Sequence, residues 1–484
     1  MNLLKNKKNN IILFILFGFS FFLIFFNLGK ADLGHYREEY RNNALPQQLE
    51  WTKVKNSHLK SPMHYNYLNY HEYRYSTVVQ QVIETNNWKT LTVPNLGSIM
   101  NYYMKGPTYF LLTAATAKVF GFSKFVVRFW PAFLGFGIIL ITYFLARDIF
   151  GKKIGLFSIF ILSTAFQFIH IDGARVVAVD TIFLFFTILA IYLLFKGTGN
   201  PRFLFFSFIS LAIAGLTRSV NIAVPLLALF TVLYFYLNFN KIKNKKILLR
   251  YIFGVLLFLF IVLSWVGLQY SLSGEIYLEN LKRHQWQEEF LNKARLASVI
   301  MYEKFQYSLF SEGERPHDWN FYLWTVFKGF FPWSIFVIFS LVYSIKIGWQ
   351  KKDKKLFSII LIIFSLYLFI SIKAQNWSRY AINFYPFLSI LVAKLLYDFY
   401  NYKDDKFLKI GLIITFILFS PFIIGYNLDS LIFKTFYILS FLYLFLYYFI
   451  LYKYNYKKNY LIPFLIIAHF GILAIINILQ PFFI

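Results

Sequence analysis

Residues 71–76 read HEYRYS: an imidazole, a carboxylate, a guanidinium and two phenols within six positions. On a helix, His71, Arg74, Tyr75 and Val78 fall on or beside one face at spacings of three and four. Such a face joins a proton acceptor to an anion-binding group. A neutral imidazole takes a proton near pH 7, and a guanidinium makes charge-assisted bonds to phosphate. Taken alone, the segment reads more simply as an interfacial helix with solvated charges and belt tyrosines.

Other polar residues stand at the edges of apolar runs. Asp180 closes RVVAVD, residues 175–180, in the first turn of an apolar segment. A lone acid there can serve as a helix cap, and a boundary carboxylate in a membrane protein is equally a functional candidate. Arg218 interrupts GLTRSVNIAVP, and Lys105 opens another apolar stretch. With Arg74, Arg175 and Arg283 they form a ring of cations at one lipid boundary. Snorkelling side chains explain such a ring; so does a docking place for a lipid phosphate.

The elements that position these residues follow from composition. The 484-residue chain is 58% hydrophobic and 15% charged, too apolar for a water-soluble protein of this length. It contains no cysteine, which excludes disulfides, thiolate metal sites and a cysteine nucleophile. A helix needs about 20 residues to cross a hydrocarbon core of about 30 Å. Apolar runs of that scale lie at 11–28, 127–147, 155–171, 177–196, 203–217, 221–239, 250–269, 326–345, 356–372, 381–398, 408–425, 430–452 and 461–481. The expected fold class is therefore an all-α polytopic membrane protein with about 13 transmembrane helices. The first run resembles a signal peptide, but no A-x-A-like site follows it, so it reads as an uncleaved anchor.

Short basic loops stay cytoplasmic. Lys5, Lys7 and Lys8, then FGKK, KIKNKK, KKDKK, YKDDK and KYNYKK, all fall on one side of this span order. That places the N-terminus inside and makes most of the net charge of +27 a topology signal, with no nucleic-acid partner required. Residues 29–126 and 270–325 then form long outer loops. The first is patterned: residues 72–86 and 106–120 read as helices, the second short for a span and lying along the membrane surface. Residues 1–400 form a core, 401–484 are further spans, and neither an internal repeat nor a C-terminal soluble module is visible.

HEYRYSTVVQQVIETNNW, then NYYMKGPTYFLLTAATAKVFGFSKFVVRFWPAFLG, YFLARDIFGKKIG and ARVVAVD together resemble the family 39 glycosyltransferases of the GT-C fold, the group containing the bacterial aminoarabinose and protein mannosyl transferases. GLTRSVNIAVP is similar to that family's Gly-Leu-…-Lys-Gly-Pro span, HDWNFYLWTVFKGFFPWSIF to its Pro-Trp-Ser span, and SIKAQNWSRYAINFYP to its Ser-x-Ser-Lys…Tyr…Pro element. The matches keep their order over residues 71–395.

The resemblance implies a GT-C core that moves a sugar from a polyprenyl-phosphate donor to a lipid, glycan or protein acceptor on the outer face of a bacterial cytoplasmic membrane. It assigns His71, Glu72 and Asp180 to catalysis, and Lys105, Arg218, Arg74 and Arg283 to the donor phosphate. Tyr75, Arg175, His317 and Tyr380 would line the substrate pocket. The chain departs from the pattern in places. His71 stands at the family's leading Asp, the expected base, while Glu72 keeps the second acid and is the alternative base. Met104 stands at the family's metal-associated Glu, so no metal is expected. Arg218 replaces the span lysine, and Lys-Pro-Pro has become Lys105-Gly106-Pro107. An insertion at 31–70 brings HYREEYR, with Glu38 and Glu39 as further acids. The alternative class is a polytopic lipid or sugar transporter or flippase, which predicts charged residues in mid-span; here the polar groups gather on the outer loops.

Overall fold

The computed structural model describes residues 2–30, 65–95, 98–101, 105–171, 173–218, 220–239, 245–282, 321–371 and 378–401, with a few more between 470 and 479. The spans expected at 408–425 and 430–452, most of 461–481, the 31–64 part of the insertion, Arg283 and His317 lie outside the described residues.

The described chain is helical throughout, with one exception. Strands β1 (Thr92–Asn95) and β2 (Ser98–Asn101) pair antiparallel, Thr92 opposite Asn101 and Val93 opposite Met100. The long helices are α1 (Asn2–Phe25), α2 (Tyr65–Thr85), α3 (Thr108–Phe120) and α4 (Lys124–Phe150). There follow α5 (Lys152–Ser163), the short α6 (Phe166–His170), α7 (Val179–Gly197), α8 (Pro201–Arg218), α9 (Val220–Leu237) and α10 (Lys245–Ser273). After α11 (Glu275–Asn280) come α12 (Phe321–Gly329), α13 (Val337–Lys351), α14 (Lys354–Ser371) and α15 (Tyr385–Asn401). Among the described residues seven helices are long and apolar enough to cross a membrane, and α1 and α9 add shorter apolar segments.

Local chemistry sets the helix ends. The Ser123 hydroxyl caps α4 by accepting from the Val126 amide at 3.2 Å. Gly151 ends α4 at φ +97°, a conformation that a side chain would strain. Pro201 opens α8 where its missing N–H costs nothing, and Arg218 sits in the last turn, where a cation meets the negative end of the helix dipole. Asp180 is the mirror case in the first turn of α7.

Two expected spans are broken. The run at 155–171 divides at Thr164 and Ala165 into α5 and α6. The run at 326–345 divides at Phe330–Phe336, so the continuous helix is α13 rather than the expected span. The breaks face each other: the Trp333 indole donates to the Thr164 hydroxyl at 2.9 Å. Hydropathy averages over both breaks because the residues in them are buried and mostly apolar.

Helix α15 is buried almost all round and forms the centre of the main core. A second, smaller core lies under the loop elements, where Val78, Val79 and Val82 of α2 meet Tyr109, Phe110 and Ala114 of α3 and Val177, Val179 and Ile182 near the start of α7. Helix α2 starts seven residues earlier than the expected helix at 72. Helix α3, at 13 residues, is too short to cross a bilayer. Burial pushes the Tyr109 phenol above the usual tyrosine range, so it stays protonated and donates to the Val127 carbonyl at 3.0 Å.

Candidate active site

The start of α7, the end of α8 and the 3₁₀ turn Ser378–Phe384 meet at one end of the bundle. Asp180, 4% exposed, stands between two guanidinium groups. Its Oδ1 lies 3.0 Å from Arg218 Nη1 and its Oδ2 lies 3.9 Å from Arg379 Nε. The Tyr380 ring packs under Arg218, with 3.9 Å from the guanidinium carbon to the ring centre. A cation over an aromatic face gains about 2 kcal/mol or more where water is excluded. Four side chains from three elements thus form one buried charged cluster.

Lys105 is held beside this cluster by its backbone. The Gly106 amide donates to the Arg218 carbonyl at 3.3 Å. A Cβ at Gly106 would overlap the Leu216 carbonyl, so glycine alone permits this approach. The contact seats the Lys105-Gly106-Pro107 corner and the start of α3 on the last turn of α8. The two cations expected to hold a phosphate are therefore neighbours.

Glu72 occupies a different junction. It is 3% exposed and accepts from Arg128 Nε at 2.9 Å and Nη2 at 2.6 Å. It also accepts from the Val177 amide at 2.8 Å. Arg128 Nη1 reaches the Leu28 carbonyl just past α1 at 3.3 Å. Glu72 thus joins α2 to α4 and to the segment leading into Asp180, with both carboxylate oxygens engaged.

Arg175, expected in the pocket, caps α1. Its guanidinium donates to the carbonyls of Leu23, Ile24 and Phe26 at 2.7, 3.0 and 2.7 Å, satisfying groups that a helix C-terminus leaves open. Tyr75 is buried at the interface of α2 and α3, edge-on to Phe110 at 5.8 Å. Arg74 is half-buried on the flank of α2. His71 precedes Glu72 on α2, and its side chain lies outside the described residues.

The structure thus brings Asp180, Arg218, Arg379 and Tyr380 together, seats the Lys105-Gly106 corner on the last turn of α8, and sets Glu72, Tyr75 and Arg175 into packing and capping contacts. Sequence reasoning missed Arg379 and Arg128. Each adjoins apolar or aromatic residues and reads in sequence as a boundary cation; only their neighbours in space distinguish them. Among the described residues, no three His, Asp or Glu side chains gather as a metal-ligand group.

The model of the dolichyl-phosphate-mannose-protein mannosyltransferase family matches residues 104–265, which include Lys105, Arg128, Asp180 and Arg218. An uncharacterized protein of Aquifex aeolicus (strain VF5) is 27% identical over 309 residues, 63% of this chain and 54% of that protein. The chain therefore spans about half the length of this curated relative. ArnT from Cupriavidus metallidurans bound to undecaprenyl phosphate superposes with a TM-score of 0.56 at 17% identity, over 84% of this chain and 71% of that one. The oligosaccharyltransferase AglB from Archaeoglobus fulgidus, in complex with an inhibitory peptide and a dolichol-phosphate, gives 0.51 at 14% identity, over 82% and 51%. The chain has the GT-C fold of ArnT and, over residues 104–265, resembles the protein mannosyltransferase family.

Proposed function

We propose that the chain is a membrane glycosyltransferase that moves a sugar from a polyprenyl-phosphate donor to an acceptor on the outer face of the bacterial cytoplasmic membrane. The observation that carries this reading is the cluster of Asp180, Arg218 and Tyr380 at one end of a GT-C bundle, with the Lys105-Gly106 corner seated beside it. Two structural relatives hold a polyprenyl phosphate by name, one undecaprenyl and one dolichol. The outward direction rests on the basic loops, which the span order puts at the opposite end.

In the reaction an acceptor oxygen attacks the anomeric carbon, and the bond from that carbon to the phosphate oxygen breaks. The electron pair leaves with the polyprenyl phosphate, and the acceptor proton passes to a base. Lys105 and Arg218 neutralise the departing phosphate, where preorganised cations act most strongly in a site that excludes water. Asp180 orients Arg218. Glu72, with both oxygens engaged, holds α2 against Arg128 and the Val177 amide. This favours His71 as the proton acceptor.

The test compares envelope lipids, glycans and proteins by mass spectrometry in the native host with and without the chain. The reading predicts one missing hexose- or pentose-sized addition, restored by the intact chain and not by Asp180→Asn. Identical spectra with and without the chain overturn it.

A further inference from the structure

We propose that Arg379 is a second phosphate-binding group, paired with Arg218 through Asp180 and serving the leaving polyprenyl phosphate more than the bound donor. The inference rests on the proposed transferase reaction and adds a residue and a step to it. Arg379 is 7% exposed, so its guanidinium is a built part of the interior rather than a boundary cation. The two oxygens of the Asp180 carboxylate lie 3.0 Å from Arg218 and 3.9 Å from Arg379. The Tyr380 ring centre is 3.9 Å from the Arg218 guanidinium carbon and 5.8 Å from that of Arg379. Two like charges from distant parts of the sequence thus share one carboxylate and one ring.

The arrangement is fixed from behind. Ser378, next to Arg379, accepts a hydrogen bond from the Gln167 amide at 2.8 Å, and Gln167 in turn accepts from the Tyr385 hydroxyl. A side chain at Gly329 would overlap both Gln167 and Tyr385, so α12 is packed hard against this support. Arg379 therefore sits on a rigid turn, as a group that must meet a transition state requires.

Charge gives the step. A sugar linked to a polyprenyl phosphate is a phosphodiester with one negative charge. When the bond to the anomeric carbon breaks, the phosphate becomes a monoester and gains a second. Arg218 and Lys105 suffice to hold the diester; a further guanidinium next to them matches the charge that develops as it departs. Guanidinium groups bind phosphate oxygens through paired donors, and a cation aimed at developing charge lowers the barrier more than it tightens ground-state binding.

The experiment measures binding of undecaprenyl phosphate, undecaprenol and inorganic phosphate to the purified full chain in detergent, for the native protein, Arg379→Gln and Arg379→Lys. The native protein should prefer undecaprenyl phosphate to undecaprenol. Arg379→Gln should weaken undecaprenyl phosphate about tenfold to a hundredfold, the scale of a hydrogen bond to a charged group, and leave undecaprenol unchanged. Arg379→Lys should fall between the two, and in turnover it should lower kcat with little change in donor KM. Inorganic phosphate binding as tightly as the lipid would make this a free-phosphate site and overturn the leaving-lipid role. Unaltered undecaprenyl phosphate binding in Arg379→Gln would remove Arg379 while leaving the transferase reading intact. Native protein that fails to prefer the phosphorylated lipid would remove that reading itself. If Arg379→Gln does not fold, Arg379→Lys decides: native kcat in that variant overturns the proposal.

Discussion

At the scale of single residues, the proposed reaction gives the two adjacent side chains at the head of HEYRYS different work. Glu72 makes three hydrogen bonds in a buried site, two of them to Arg128. Its replacement by glutamine leaves the Arg128 charge buried without its carboxylate, which costs about 3–5 kcal/mol. Glu72→Gln should therefore show its defect first in thermal unfolding, with folded molecules retaining turnover. His71→Ala should lose about 100-fold to 10,000-fold in turnover, as loss of a positioned base does. A base must be deprotonated to act, so native activity should fall on the acid side. His71→Asp should retain activity and move that acid limb down toward the carboxylate range. A native rate that is flat from pH 5 to 8 excludes His71. Lys105→Ala should weaken donor use by about 1.5–3 kcal/mol, measured as kcat/KM for the lipid-linked sugar. The sequence placed Asp180, Arg218, Lys105 and Tyr380 in one site through motif order. It left Glu72 and His71 as alternative bases, and Arg128, which engages both Glu72 oxygens, is distant in sequence.

At the scale of elements, the site depends on how closely α3 approaches α8. Gly106 permits that approach, since any Cβ there meets the Leu216 carbonyl, a backbone atom that cannot rotate away. Gly106→Ala should cost about 1–3 kcal/mol in stability, the scale of an overpacked contact, and should weaken donor use by separating Lys105 from Arg218. Calorimetry of the purified variant together with its donor KM checks both parts; an unaltered KM would show that Lys105 does not need this seat. The long helices were legible because hydrophobic runs of span length have few alternatives. The breaks after Ser163 and before Val337 were not, because their residues are mostly apolar and only packing partners such as Thr164 and Trp333 reveal them. The β1–β2 hairpin escaped for a related reason: strands of four residues leave too little alternation to stand out.

At the scale of the whole molecule, α1 is part of the scaffold around the site. Arg175 and Arg128 cap the carbonyls at its end, and both belong to segments that position Asp180 or Glu72. The proposed orientation of the bundle rests on lysine and arginine in short loops. The chain has no cysteine, so single introduced cysteines report cleanly. A cysteine at Asn95 should react with a membrane-impermeant maleimide in intact spheroplasts, and one at Asn244 should not. The reverse pattern would put the charged cluster on the cytoplasmic side.

The most direct test follows a radiolabelled lipid-linked sugar, drawn from membranes of the native host, in proteoliposomes that contain the purified chain and an envelope extract as acceptor. The account predicts that label leaves the lipid and appears on acceptor, with release of polyprenyl phosphate, for the native chain and not for Asp180→Asn. Label that crosses the bilayer still joined to its lipid, at the same rate with native chain and Asp180→Asn, would contradict a transferase and establish a transporter.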